Sequence, residues 1–185
     1  MSDLLIRNES VQLLFNWYSN GKFWVNRKYQ RKLVWTLEEK QNFINSIARS
    51  YPIPLFLLAD LEKNSIQCYE IIDGMQRLEA IFSFLRGEYS VELGEHVGYF
   101  DLSTMAESKA LLDVGGLQQN RPVLPRDICV NIANYQIPLS ITHFEDDEIE
   151  EIFRRINATG KGKKYAVLLC AVMIAVISVL LKSAL

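Results

Sequence analysis

The stretch from Ile66 to Leu85 constrains the fold more than any other. An extended run, Ile66 to Ile72, stops at Asp73-Gly74. Leu78, Ile81, Phe82 and Leu85 then follow at helical spacing, and Gly87 ends the helix. A strand that feeds a helix through a glycine turn commits the chain to mixed architecture. It also leaves backbone N–H groups at the positive end of the helix.

The flanking segments agree. Thr36-Leu37-Glu38-Glu39 reads as a capping box that opens a helix to about Ser50, with Leu37, Ile44, Ile47 and Ala48 inward. Pro52 and Pro54 end that helix and launch an extended run, Leu55 to Ala59, which pairs with Ile66–Ile72 as a hairpin across Lys63-Asn64. Earlier, residues 9–21 read as a helix with Val11, Leu14, Phe15 and Tyr18 on one face, and Phe23 to Val25 as a short strand. Later, Tyr89–Val91 reads as a strand and Thr104–Leu112 as a short helix. Two further extended runs, Ile128–Ala133 and Ile137–Thr142, precede an acidic-capped helix over 146–157. This order predicts an α+β fold, a small mixed sheet flanked by helices.

Composition narrows the chemistry. The net charge is −2, so nucleic-acid binding would need a local basic patch. Cys68, Cys129 and Cys170 are far apart and form no CxxC pair, and His96 and His143 stand alone, which argues against zinc. An odd cysteine count and a polar N-terminus fit reduced thiols in a cytoplasmic protein without a signal peptide. From Tyr165 to Leu181, however, seventeen residues carry no charge, with lysines on both sides. As a helix they would rise about 25 Å, near the lower limit for a membrane span. A membrane anchor, a core helix and a frame-shifted end compete as readings of this tail.

Three clusters can carry function. At the first, the helix start after Gly74 is a ready phosphate site. Arg77 can grip phosphate, Asp73 can hold a divalent metal or orient a water, and Gln76 can position a nucleophilic water. The plainer reading makes Asp73 an N-cap and Arg77 a surface ion pair. The second is Tyr29-Gln30-Arg31 with Trp35, able to stack on a base and hold a phosphate, or else a packed aromatic corner. The third, Phe153 to Gly160, sets Arg154 and Arg155 before Asn157 and Gly160. It is equally a helix C-terminus with its usual cap.

Taken in order, Val25-Asn26-x-x-Tyr29-Gln30-Arg31-x-x-Val34-Trp35, Tyr51-Pro52-Ile53-Pro54, Ile71-Ile72-Asp73-Gly74-x-Gln76-Arg77-Leu78 and Phe153-x-Arg155-Ile156-Asn157-x-x-Gly160 resemble the GmrSD restriction endonuclease N-terminal domain family over roughly residues 8–162. The resemblance implies a ParB/sulfiredoxin-like core and a regulatory domain of a modification-dependent, phage-defence restriction system. The family's Asp-Gly-Gln-Gln-Arg motif is associated with nucleotide binding and hydrolysis. That association carries over to Asp73 and Gln76 as catalytic groups, and to Asp73 as the ligand of magnesium or another divalent metal. Tyr29, Gln30, Arg31, Gly74, Arg77, Arg155, Asn157 and Gly160 become nucleotide-binding residues, with Phe153 as packing.

Two departures qualify the resemblance. Met75 stands where the family has glutamine, and a thioether makes no strong hydrogen bond. No histidine-rich metal motif is present, so the expectation is that this chain does not cut DNA by itself and that a nuclease comes from a separate subunit or a missing part. Three functional classes follow: an enzyme that hydrolyses a nucleoside triphosphate, a module that senses nucleotide or DNA without turnover, and an inactive remnant. The tail 165–181 adds a possible membrane partner to these.

Overall fold

A computed structural model describes residues 4–25, 34–63 and 66–142, together with Glu151 and Arg155. The chain divides into two compact units, Met1–Phe144 and Glu145–Leu185. In the second unit Glu151 and Arg155 are helical, as expected for two positions of 146–157. The hydrophobic segment 165–181, expected as a C-terminal helix, lies outside the described residues. Among those residues no helix is long and apolar enough to cross a membrane.

The first unit opens with strand β1 (Leu4–Ser10). Helix α1 (Val11–Ser19) follows directly, because the Ser10 side chain caps it by accepting from Leu13 N. After β2 (Phe23–Trp24) come α2 (Leu37–Ala48), β3 (Phe56–Lys63), β4 (Ile66–Asp73) and α3 (Met75–Leu85). A small hairpin, β5 (Val91–Leu93) with β6 (His96–Gly98), leads to a 3-10 turn at Leu102–Thr104. The unit ends with α4 (Ala106–Asp113), α5 (Arg126–Asn134) and β7 (Gln136–Thr142).

The main sheet is mixed, in the order β1-β7-β3-β4-β2. The expected hairpin is β3 with β4, antiparallel. β7 lies between β1, to which it is antiparallel, and β3, to which it is parallel. The short β2 runs parallel to β4, with Phe23 beside Tyr69 and Trp24 beside Glu70. Ile137, Leu139 and Ile141 alternate along β7 and join Phe56, Leu58 and Ile71 in the core. Leu14 and Phe15 of α1, Ile44 and Ile47 of α2, and Leu78, Ile81 and Leu85 of α3 complete it. All seven of these helix residues match their expected places.

Three expectations needed correction. Ile128–Ala133 is not extended but helical, within α5. Its β-branched residues favour a strand, yet Cys129, Ile132 and Ala133 are buried at helical spacing, and that burial outweighs propensity. Strand β1 was not expected, since Leu4–Ser10 reads as mixed and polar; as an edge strand it is held by main-chain pairing to β7, and none of Leu5–Ser10 is buried. Leu37 points outward, 55 % exposed, because it is the first residue of α2, and Phe43 packs inward instead.

Candidate functional site

The site forms where β4 passes into α3. Pairing between β3 and β4 slips by one residue just before the turn: Leu58 opposes Ile71, but Leu57 opposes Asp73. Ile72 is therefore an extra residue, a bulge that redirects the side chain after it. Ile72 stays buried, and Asp73 emerges with its side chain half exposed.

Gly74 makes the turn. Its φ of 103° lies in the left-handed region, where other residues are strained. The position is also crowded, for a Cβ there would sit 2.4 Å from Cδ1 of Phe56. Gly74 has no side chain with which to cap α3, and the first helical bond runs from Leu78 N to Gly74 O at 2.9 Å. The earlier N–H groups of the first turn thus meet no capping oxygen from the N-cap residue.

Two side chains of that first turn reach distant backbone. The Oε1 of Gln76 accepts from Val34 N at 2.9 Å and from Trp35 N at 3.2 Å. Arg77 is almost fully buried over the Phe56 ring, its guanidinium 4.3 Å from the ring centre. Its guanidinium donates to Pro54 O, to Leu55 O at 3.3 Å and to Asp73 Oδ2 at 2.8 Å. Burial pushes the Arg77 pKa below its ordinary value, and the Asp73 carboxylate opposes that shift. Four of the five guanidinium N–H groups serve these bonds, so the fork is used inside the fold. Met75 is half-buried against the core.

Asp73, Gly74, Gln76 and Arg77 are thus brought together on one junction. Tyr29, Gln30 and Arg31 lie outside the described residues, as do Asn157 and Gly160. The flanks of 26–33 are described, and both lie by this junction. One leaves β2, which runs alongside β4 towards Asp73, and the other returns at Val34 on Gln76. Trp35, considered as a base-stacking group, sets its ring edge-on against Phe43 at 5.5 Å. Arg155 donates to Glu151 Oε1 at 2.8 Å within its own helix and is 78 % exposed.

Sequence reasoning missed Phe56, whose ring lies under both Gly74 and Arg77, and the carbonyls of Pro54 and Leu55. The Pro-Ile-Pro segment was a signal for those carbonyls: it is an ordered approach to β3, and Arg77 fastens it.

The model of the family described as GmrSD restriction endonuclease, N-terminal domain, matches residues 11–169. No curated protein matches the chain.

Proposed function

Since the chain belongs to the GmrSD restriction endonuclease N-terminal domain family, we propose that this restriction-system component binds a nucleoside triphosphate at the Asp73–Arg77 junction. The observation that carries the reading is the start of α3: a left-handed glycine, no side-chain cap and a half-exposed carboxylate at the strand end. Such a helix start attracts phosphate through its N–H groups and its dipole.

A divalent metal suits the donor set. Magnesium is commonly held by one or two carboxylates together with phosphate oxygens and water. Asp73 gives Oδ2 to Arg77 and leaves half of its side chain open to solvent. The bound metal would supply charge neutralisation on the phosphates. Arg77 acts on the ligand through Asp73, by holding that carboxylate in place.

Turnover is a separate matter, and Met75 favours a sensor over a hydrolase. Its thioether replaces a glutamine in the family motif and cannot hold a water or a phosphate oxygen. In the restriction system, nucleotide occupancy would then gate a nuclease supplied by another polypeptide.

Calorimetry on the full chain with ATP or GTP and magnesium tests the reading. The parent is expected to bind one of them, and Asp73→Asn to weaken that binding at least tenfold while melting within a few degrees of the parent. Phosphate release from the same samples then distinguishes hydrolase from sensor. A folded parent that binds neither nucleotide would overturn the proposal.

A further inference from the structure

We infer that Gln76 is a positioning residue, which fixes the start of α2 against the start of α3 through its side-chain carbonyl. Two backbone N–H groups, of Val34 and Trp35, converge on Oε1. A carbonyl oxygen has two lone pairs, so these two donors fill it. That end of the side chain has no acceptor left with which to orient a nucleophilic water.

The contacts of the next residues show what the bond holds. Val34 is 70 % exposed, and its side chain contributes little to fixing its own place. Trp35 has its ring on Phe43, a residue of α2 itself. Thr36 caps α2 with its own side chain, and Glu39 answers it. All these contacts except that of Gln76 belong to α2. The Gln76 carbonyl therefore sets the spacing between two helix starts, both positive ends of dipoles, on the side of the fold where Asp73 emerges. What that spacing serves rests on the nucleotide reading; the bond itself does not.

Residue-resolved amide hydrogen exchange on the full chain, without nucleotide, reads the bond directly. In the parent, the Val34 and Trp35 amides are expected to exchange at least tenfold slower than unprotected amides. Gln76→Leu is expected to speed both about tenfold and to leave Phe43 and Ile44 within α2 unchanged. Gln76→Glu keeps an accepting oxygen and is expected to restore the protection. Unprotected amides in the parent, parent-like protection in Gln76→Leu, or lost protection in a folded Gln76→Glu would each overturn the inference. If Gln76→Leu does not fold, the parent and Gln76→Glu decide alone. Protected amides in a chain that binds no nucleotide would sink the functional proposal and leave this one standing.

Discussion

Helices α2 and α3 begin in opposite ways. Thr36 caps α2 with a reciprocal box whose partners lie three residues apart, all on the surface. The start of α3 has a bare glycine, and its polar side chains are tied to backbone 22 to 42 residues away. The first start is stable on local grounds and could form before the rest of the fold. The second exists only once β3, β4 and the approach to α2 are in place. A helix start built this way leaves its own N–H groups to something other than the protein's capping side chains, whereas the locally capped start does not.

Substitutions can break or sharpen this contrast, and the largest effect is expected at Gly74. Gly74→Ala combines left-handed strain with a clash against a buried ring, and should cost about 4 kcal/mol. Urea unfolding measures it, and a cost below about 1 kcal/mol would show that Phe56 yields freely. Arg77→Met comes next. It keeps the stem over Phe56 but strands the Pro54 and Leu55 carbonyls, for an expected loss of about 2–3 kcal/mol by the same measurement. An unchanged unfolding midpoint would mean that water replaces the guanidinium without penalty. Thr36→Ala is expected to be the mildest, at about 1 kcal/mol, because only the local box is lost. Should Thr36→Ala cost more than Gly74→Ala, the contrast would be inverted.

The same contrast explains what could be read beforehand. The α2 box, the β3–β4 hairpin and the apolar spacing of α3 are short-range patterns, and the sequence displays them. Asp73, Gly74, Gln76 and Arg77 were legible as a group because a strand, a glycine and a helix follow one another in the chain. Their individual bonds were not legible. No local rule pairs Gln76 with the amide of Val34, or Arg77 with the carbonyl of Pro54; only the packing of α3 against α2 and against the start of β3 brings them within reach. Strand β1 and helix α5 escaped for a related reason. The polar character of β1 is tolerated because it sits at a sheet edge, and the β-branched run in α5 is overruled by its buried helical stripe.

The place of β7 in the sheet bears on synthesis. β1 leaves the ribosome well before its hydrogen-bonding partner, Gln136–Thr142, which is made more than a hundred residues later. At typical elongation rates, on the order of 5–20 residues per second, β1 waits several seconds or more with its edge unpaired. One side of β3 waits with it, because β7 is also its neighbour. Closing so long a loop makes for slow folding, and unpaired edges invite association between nascent chains. Until β7 emerges, only three of the sheet's five strands, β3, β4 and β2, can pair around the junction that holds Asp73.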